Sequence, residues 1–280
     1  MHLCNLSFIT GIVPKELKLA KVVPVFKSGA NNEFTNYRPI SVLCTLSKIY
    51  ERLVYNRLIN FLLKNDALYK YQFGFRDKHS TELALILLMD KITAAIDNNE
   101  FTVAVFLDLS KAFDMVNHSI IINKLEHYGV RGIPLSWFKS YFSYRKQYVS
   151  YNGTDSSLCN TISCDVPQGS ILGPLLFSIF INDLHNASNS LFYILFADDS
   201  NLLLNGPNIN ELCKQINQEI KTVVEWFKVN KLCLNIKKTN FMIFCAKNKR
   251  YENNENKILV DSITVEQVDS TKFLGVYIDD

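Results

Sequence analysis

The 280-residue sequence lacks the features that mark secreted, disulfide-bonded, zinc-binding and membrane proteins. Its seven cysteines are odd in number and form no Cys-x-x-Cys pair, which argues for a reducing compartment and against a disulfide framework or structural zinc. No apolar run approaches the ~20 residues of a membrane span, and residues 1–14 lack the basic start of a secretory signal. We therefore expect an intracellular protein, in the nucleus or cytoplasm, that is neither secreted nor membrane-bound.

Strong net charge, repeats and low-complexity linkers are also missing. The formal charge of +3 is mild, and 48% apolar residues fit a globular protein with a sizeable core. Local basic clusters indicate phosphate contacts better than the net charge does, although ordinary solvated surface explains each cluster equally well. The clusters are Lys15, Lys18, Lys21 and Lys27 near the start, and Lys247, Lys249 and Arg250 near the end.

The most informative segment is 191–204, in which two apolar runs of strand length flank the adjacent acids Asp198 and Asp199. This pattern predicts a β-hairpin with its acids at the turn. Two like charges about 4 Å apart repel by roughly 4 kcal/mol at an effective dielectric near 20. A divalent cation reverses that interaction, and Mg2+ binds one or two carboxylates together with substrate phosphates. Taken alone, the pair is more readily explained as a plain polar hairpin tip.

A second Asp-Asp pair in the same chain shows how weak the motif is by itself. Asp279 and Asp280 also follow an apolar run, but no further sequence is present to form a return strand. We therefore expect the pair at 198–199 to carry function and the pair at 279–280 to carry none.

A third acid, Asp108, ends an apolar run at 101–107 that is typical of a strand buried on both faces. An aspartate there is costly unless it lies at the strand end facing a cation. The alternative is that Asp108 is only a strand-end residue that caps a turn. Ser110, which follows the apolar run, is a plausible N-cap of a helix. Together with Asp198 and Asp199 it would supply the carboxylates of a two-metal site.

A Gly/Pro loop at 166–173 precedes an apolar helix with Pro174 in its first turn. Alone, Pro167-Gln168-Gly169-Ser170 predicts only a turn. The order of all these segments, however, resembles the reverse transcriptases of non-LTR retrotransposons, especially jockey-like and LINE-like elements. Asp165 departs from the family pattern, which usually has Gly there. The similar segments are 21–29, 36–41, 72–76 with 80–81, 101–114, 166–177, 196–199, 230–239 and 272–276.

The resemblance implies two-metal nucleotidyl transfer of a dNTP onto a primer 3′-hydroxyl, with an RNA template and a DNA primer as partners. Two Mg2+ ions, replaceable by Mn2+, would be held by Asp108 and Asp198 with Asp199 as ligand or support. Without the resemblance, Lys27 and Arg38 would be interpreted as surface cations. Phe113 would be a core aromatic, and Lys238 a lone lysine in a turn. The implied residues are Asp108, Asp198, Asp199 and Lys238 for catalysis, Lys27, Arg38, Phe113, Gln168 and Gly169 for the dNTP, and Phe273, Leu274 and Gly275 for the primer.

Periodicity predicts the elements that carry these residues. Helices grouped with hairpins, without strict βαβα alternation, indicate an α+β fold. A fingers helix is expected from the stripe Leu46, Ile49, Tyr50, Leu53, Val54 and Phe61. Further helices are expected at 81–96, at 121–128 closed by Gly129, and at 209–227, with a hairpin at 148–153 and strands near 241–245, 258–260 and 272–278.

The resemblance also implies a right-hand polymerase, with an antiparallel palm sheet backed by helices. Residues 1–100 would form the fingers region, and residues 101–280 the palm with part of the fingers. The chain would then be one reverse transcriptase domain truncated at both ends, with the thumb absent. The full element protein would supply that thumb and an upstream endonuclease.

Two competing functions remain open from the sequence. A domesticated, catalytically inactive palm could bind RNA as a scaffold, but it would not need three acids around one point. An RNA-directed RNA polymerase could share the palm, but Phe113 at the sugar position leaves no room for a 2′-hydroxyl. The three acids and Phe113 therefore favour the RNA-directed DNA polymerase.

Overall fold

In the computed structural model, the described residues are 2–157, 164, 166–247, 249 and 257–279. The unusual Asp165 and the final Asp280 therefore lie outside the described residues, as do Cys159 and Arg250.

The chain divides into two compact units, each built from two separate stretches. The first unit comprises Met1–Leu68 and Phe113–Phe180, and the second comprises Tyr69–Ala112 and Ile181–Asp280. Because each unit has its own sheet and helices, each is described by itself below.

Helices and strands alternate irregularly along the described chain. The α-helices are α1 His2–Thr10, α2 Thr45–Lys64, α3 Thr81–Asp97, α4 His118–His127, α5 Ile133–Phe142, α6 Gly173–Ile181 and α7 Ile209–Val229. The strands are β1 Leu19–Phe26, β2 Tyr37–Leu43, β3 Phe101–Leu107, β4 Lys146–Tyr151, β5 Thr154–Asp155, β6 Phe192–Phe196, β7 Asp199–Gly206, β8 Asn240–Phe244, β9 Leu259–Val260, β10 Ile263–Thr264, β11 Glu266–Gln267, β12 Ser270–Phe273 and β13 Val276–Asp279. Among the described helices, none combines the length and apolar character that a membrane span needs.

The sheet of the first unit has the strand order β2-β1-β4-β5. Strands β1 and β2 are antiparallel with Val25 opposite Arg38, whereas β4 runs parallel to β1. Between β4 and β5, Asn152 and Gly153 have φ of 48° and 79°. Positive φ at both central positions is what a type I′ turn requires, so the predicted hairpin at 148–153 is confirmed.

Helix α2 forms as predicted, but its buried face differs from the predicted stripe. Leu46, Ile49, Leu53 and Phe61 are at least 37% exposed. The helix carries apolar residues on more than one face, so periodicity alone could not select the face that packs. The buried face consists of Ser47, Tyr50, Glu51, Val54, Leu58 and Leu62.

Helix α4 begins and ends at residues that satisfy its terminal backbone groups. The Asn117 side chain accepts hydrogen bonds from the N–H groups of Ser119 and Ile120, both at 3.2 Å. Gly129 follows the last turn with φ of 96°, and its N–H donates to the Glu126 carbonyl at 3.0 Å. The predicted C-terminal glycine is confirmed, whereas the N-cap is Asn117 and not Ser110.

The second unit is built on a sheet with the strand order β11-β8-β3-β7-β6. Its central strand, β3, is buried at all seven positions and pairs antiparallel with both β7 and β8. Helix α3 packs on β3 and β6, and helix α7 packs on β7 and β3. The predicted stripe of α7, from Ile209 to Phe227, is buried. The sheet is antiparallel except where β11 runs parallel to β8, and helices cover it. The second unit therefore combines helices with a sheet, as the predicted α+β class requires.

The segment after α7 contains a hairpin where one strand, 272–278, was predicted. Strands β12 and β13 pair antiparallel, and the turn between them consists of Leu274 and Gly275, with φ of 48° and 90°. The single-strand prediction is wrong because these two residues adopt the left-handed backbone of a tight turn. Residues 276–279 are therefore a return strand, and Asp279 lies opposite Ser270.

Candidate active site

Asp108 follows directly on the central strand of the second unit, as predicted, and its backbone is fixed by the segment 233–239. The Asp108 N–H donates to the Thr239 hydroxyl at 3.3 Å, and the Asp108 carbonyl accepts from the Asn235 N–H at 2.8 Å. The next polar residue, Ser110, donates its N–H to the Cys233 carbonyl at 2.9 Å. Asp108 is thus held at a defined position at the end of the strand.

Asp198 lies in the turn of the β6–β7 hairpin, which confirms the predicted hairpin. The turn residues are Ala197 and Asp198, because Phe196 pairs with Asp199. Ala197 has a φ of 54°, which matches the first central position of a type II′ turn. Asp199 is the first residue of β7, so the two acids occupy different structural positions: one is in the turn and one opens the strand.

Asp108 and Asp199 stand at neighbouring strand ends. The β3–β7 ladder ends at the pair Leu107–Ser200, and one further step of that register places Asp108 opposite Asp199. Burial, followed by the charges of Asp198 and Asp108, raises the pKa of Asp199 to about 6. The two neighbouring carboxylates therefore disfavour the ionised form of Asp199.

The donor set fits a hard divalent cation in chemistry. Carboxylate oxygens are the ligands that Mg2+ accepts, and Mg2+ commonly uses only one or two of them together with waters and substrate phosphates. Within the described residues, no three His, Cys, Asp or Glu side chains are close enough to hold an ion by themselves. The acids therefore suit a site that is completed by a phosphate-bearing substrate.

Lys238 lies in the same segment that fixes Asp108. Its N–H donates to the Asn235 carbonyl at 3.0 Å, which closes a turn just before β8, and its side chain is exposed. Asn240, two residues later, pairs with Phe106, which is two residues before Asp108. The backbone thus brings Lys238 to the end of β3 that bears Asp108, and its catalytic role stays a prediction.

Among the residues predicted to grip a primer, Phe273 is part of the core of the second unit. It is 3% exposed, and its ring lies 6.0 Å from that of Phe106. The adjoining Leu274 and Gly275 form the β12–β13 turn. Within residues 273–275, therefore, only the Leu274–Gly275 turn has surface that could contact a primer, and this contact stays a prediction.

The first unit contains the residues predicted to bind the dNTP. Lys27 follows β1, and its N–H donates to the Asn36 carbonyl at 2.9 Å. Arg38 lies in β2 opposite Val25, and the Lys27 and Arg38 side chains are both exposed. The β1–β2 hairpin therefore brings two cations that are eleven residues apart in sequence to the same end of two paired strands.

Lys18, from the same basic cluster in the sequence, does not share that exposure. It is 5% exposed, and its ammonium donates to the Ser140 hydroxyl at 3.3 Å. Burial, followed by the charges of Arg145 and Lys15, lowers the pKa of Lys18. The interpretation of this lysine as a surface cation for phosphates is therefore wrong.

Gln168 and Gly169 form a loop attached to β2. The Ser41 N–H donates to the Gln168 carbonyl at 2.7 Å, and the Gln168 side chain donates to Asp114 at 2.8 Å. Gly169 has a φ of 117°, and a Cβ there would meet the Ser41 carbonyl oxygen at 2.6 Å. Both the backbone angle and the close approach to β2 require glycine at this position.

Phe113 is half-buried beside this loop. Its ring stacks on Phe177 of α6 at a centroid distance of 4.7 Å, and its carbonyl accepts from the Val166 N–H at 3.2 Å. Its neighbour Asp114 is the carboxylate that binds Gln168. The first unit therefore brings Phe113, Gln168 and Gly169 together, as the resemblance implied.

Sequence reasoning missed Glu51, a carboxylate that anchors the same loop. Glu51 is 1% exposed and accepts hydrogen bonds from the Ile171 N–H at 2.7 Å and the Tyr141 hydroxyl at 2.8 Å. Burial raises its pKa, although these two bonds and the charge of Arg145 oppose the rise. One feature of the sequence could have pointed to Glu51: it is an acid on the face of α2 that also carries Tyr50 and Val54.

The fold of the chain is that of telomerase structures. An apo telomerase from Candida tropicalis matches with a TM-score of 0.64 at 11% identity, covering 96% of this chain and 48% of that one. A telomerase from the same organism, in complex with a TWJ fragment of telomeric RNA, matches with a TM-score of 0.61 at 13% identity, covering 99% and 47%. At such low identity the match defines the class of fold alone.

The family follows from the sequence comparisons. Residues 26–278 match the model of the family "Reverse transcriptase (RNA-dependent DNA polymerase)". The probable RNA-directed DNA polymerase from transposon BS of Drosophila melanogaster is 34% identical, over 95% of this chain and 30% of that protein. The RNA-directed DNA polymerase from mobile element jockey of the same organism is 32% identical, over 77% and 24%.

This chain belongs to the reverse transcriptase family, which confirms the resemblance to jockey-like elements. It spans about a third or less of the length of these curated relatives.

Proposed function

We propose that this chain is the RNA-directed DNA polymerase domain of a non-LTR mobile element, which adds dNTPs to a primer 3′-hydroxyl. The observation that carries the proposal is the charge environment of Asp199, which is desolvated and lies among the charges of Asp198 and Asp108. Such a cluster destabilises a folded chain unless a cation neutralises it. Family membership supports the same reaction.

The proposed architecture is a right-hand polymerase of the α+β class. Residues 1–100 form the fingers region, and residues 101–280 form the palm with part of the fingers. The five-stranded sheet of the second unit, which has β3 at its centre and is antiparallel except for β11, is the proposed palm sheet. The thumb and an endonuclease are expected to belong to the full element protein.

In the proposed reaction, the primer 3′-oxygen bonds to the α-phosphorus of the dNTP and the bond to the β-phosphate breaks. Asp108 and Asp198 would hold two Mg2+ ions, with Asp199 as a third ligand or as support for the other two. When bound, such a pair of ions activates the attacking oxygen and stabilises the leaving one. Phosphoryl transfer of this kind asks a protein mainly for positioning and charge stabilisation.

The other site residues are proposed to bind and select the nucleotide. Lys27 and Arg38 contact the triphosphate, for which the planar guanidinium of Arg38 suits bidentate bonding. Phe113 packs under the sugar and excludes a 2′-hydroxyl, with Gln168 and Gly169 beside the nucleotide. Lys238 is proposed to protonate the departing pyrophosphate. The Leu274–Gly275 turn is proposed to contact the primer, whereas Phe273 is buried in the core of the second unit.

The proposed partners are an RNA template, a DNA primer and dNTPs, within the nucleus or the cytoplasm. An inactive scaffold that only binds RNA is the competing function. Binding of primed RNA without DNA synthesis in either Mg2+ or Mn2+ would favour the scaffold and refute the polymerase.

The proposal is tested by measuring DNA synthesis on a primed RNA template. The protein used is this chain extended at its C-terminus by the expected thumb. Asp108→Asn or Asp198→Asn should reduce the rate by at least ~1,000-fold, or about 4 kcal/mol, because charge is removed at nearly constant volume. Asp279→Asn is the matched control, since Asp279 is an exposed acid in the same unit. Activity that survives in Asp198→Asn but is lost in Asp279→Asn would show that the wrong acid pair was chosen.

The 280-residue chain without that extension is predicted to be a poor polymerase. Holding a primer–template duplex depends on many phosphate contacts that weaken with salt, and the expected thumb would supply a share of them. Extension over many nucleotides at physiological salt by the 280-residue chain would contradict this prediction.

A further inference from the structure

The segment 71–74 in the second unit is attached to the hairpin that carries Asp198. Its backbone continues the sheet beyond the edge strand β6 through a parallel bridge between Gln72 and Leu195. The Phe73 N–H donates to the Leu195 carbonyl at 2.7 Å, and the Leu195 N–H donates to the Tyr71 carbonyl at 3.0 Å. The edge of the sheet next to the Asp198 turn is therefore covered by this segment.

The Gln72 side chain reaches from this segment to the turn itself. Its Oε1 accepts hydrogen bonds from the N–H groups of Gly74, at 2.8 Å, and Ala197, at 3.2 Å. Gln72 is fully buried, and within the described residues its Nε2 has no hydrogen-bond partner. A glutamine kept in the interior with half of its amide unpaired indicates that the bonds to Oε1 matter to the protein.

Gly74 is required because the turn leaves no space for a Cβ at this position, and not because its φ angle is positive. A Cβ on Gly74 would meet the backbone of Ala197 at 2.2 Å from N and 2.9 Å from Cα, and the Phe196 carbonyl carbon at 3.0 Å. The backbone atoms of the turn cannot yield as a flexible side chain could. Gly74 is therefore in direct van der Waals contact with the residue that precedes Asp198.

Ala197 itself adopts a backbone angle that its surroundings must impose. A non-glycine residue with φ of 54° is in the left-handed region, which persists only where neighbouring structure over-determines it. The bond from Ala197 N–H to Gln72 and the contact with Gly74 are neighbouring structure of that kind. Both act on the residue directly before Asp198.

We propose that Gln72 and Gly74 are positioning residues that hold the Ala197–Asp198 turn in the geometry that cation-dependent nucleotidyl transfer needs. The proposal rests on the proposed polymerase function for its catalytic consequence, but not for the structural constraint itself. The Gln72 side chain contacts the backbone of the turn at Ala197, so its effect reaches Asp198 through Ala197.

The first experiment measures the constraint without any activity. Gln72→Met removes the acceptor at nearly constant volume, and amide-resolved hydrogen exchange is followed in the 280-residue chain. The Ala197 amide should exchange at least ~10-fold faster, with little change on β3. The matched control is Asn182→Leu. Asn182 is a buried acceptor of the Tyr69 N–H at 2.7 Å, so its loss affects the segment that leads to Gln72 but removes no bond to the Ala197–Asp198 turn. Unchanged exchange at Ala197 in Gln72→Met would overturn the proposal.

The second experiment measures the consequence in the extended polymerase. Gln72→Met should lower kcat at least ~10-fold and raise the Mg2+ concentration for half-maximal rate, with KM for dNTP within about twofold. Asn182→Leu should lower Tm without moving the Mg2+ dependence, which separates positioning from general stability. Equal Mg2+ dependence in Gln72→Met and wild type would overturn the catalytic part.

Gly74→Ala provides a second variant with its own control. It should produce the same Mg2+ effect as Gln72→Met, because a Cβ would displace the turn backbone. Gly206→Ala is the control in β7, where a Cβ meets only the flexible Leu212 side chain at 3.1 Å. Absence of DNA synthesis by wild type would refute the polymerase proposal instead, and the exchange result would then decide the role of Gln72.

Discussion

Burial raises the pKa of two carboxylates, one in each unit, but the groups around the two carboxylates differ. Glu51 in the first unit is 1% exposed, but hydrogen bonds from Tyr141 and Ile171 satisfy both of its oxygens. Asp199 in the second unit is half-buried, and the charged groups around it are two more carboxylates. The difference separates a carboxylate that faces hydrogen-bond donors from a carboxylate that faces other negative charges.

The comparison extends to what each unit contributes. In the first unit, Glu51 fixes the loop that carries Gln168 and Gly169, while Phe113 lies beside that loop on Phe177. In the second unit, the Asp108 N–H donates to the Thr239 hydroxyl and the Asp108 carbonyl accepts from the Asn235 N–H, so these bonds fix the backbone of Asp108 and do not involve its carboxylate. The expectation is that substitutions in the first unit alter stability and selectivity, whereas those in the second unit alter cation dependence.

The largest effect among the predictions is expected for Glu51→Ala. It should lower the free energy of unfolding by about 3–5 kcal/mol, because it leaves the Ile171 N–H and the Tyr141 hydroxyl without their acceptor and the buried Arg145 without a nearby negative charge. Glu51→Gln is the control, since one amide can accept from Ile171 and donate to Tyr141. Urea unfolding of both variants checks this, and equal losses would mean that charge, and not hydrogen bonding, stabilises the site.

Phe113→Val should change sugar selectivity more than stability. Loss of the ring should raise rNTP incorporation relative to dNTP by at least ~10-fold, or about 1.4 kcal/mol. Single-nucleotide extension with each substrate in the extended chain is the measurement. Phe177→Leu is the control, because it removes the other ring of the stacked pair from the core. An unchanged ratio in an active Val variant would reassign Phe113 to packing alone.

Asp199→Asn should stabilise the chain when no divalent cation is present. A rise in pKa from 3.8 to about 6 corresponds to destabilisation of the ionised form, which solvent screening at this half-buried site reduces to about 1 kcal/mol. Tm in EDTA should therefore rise by about 2–4 °C, and MgCl2 should stabilise the variant less than wild type. Asp279→Asn is the control, and a lower Tm for Asp199→Asn in EDTA would contradict the repulsion argument.

The smallest effect is the pH dependence that Glu51 contributes, because its hydrogen bonds and Arg145 oppose the effect of burial. With a raised pKa, the folded protein binds the Glu51 proton more tightly than the unfolded chain does. The contribution to stability is therefore complete below the usual value of 4.5 and is lost as pH rises through the folded-state pKa. The stability of Glu51→Gln relative to wild type should increase between pH 4 and pH 8. A relative stability that falls over this range would show that Arg145 dominates.

The elements that the sequence predicted best are those whose signal is local. The turn Asn152-Gly153, the largely apolar strand before Asp108 and the stripe of α7 each follow from residue types at fixed spacing. The motif order was also sufficient to identify the family. Predictions failed where several local patterns compete, as on α2, whose apolar residues cover more than one face, and at Leu274-Gly275, where a turn interrupts an apolar run.

By itself, the sequence determined the strands and turns that carry Asp108 and Asp198, because continuous apolar runs and turn chemistry are local features that act between near neighbours. Only the tertiary structure decided that Glu51 anchors the loop at Ile171, 120 residues away, and that Gln72 bonds Ala197, 125 residues away. Those contacts depend on which buried polar groups come to face one another when separate segments pack. A buried acceptor must find a donor wherever the fold provides one, and spacing along the chain does not record that choice.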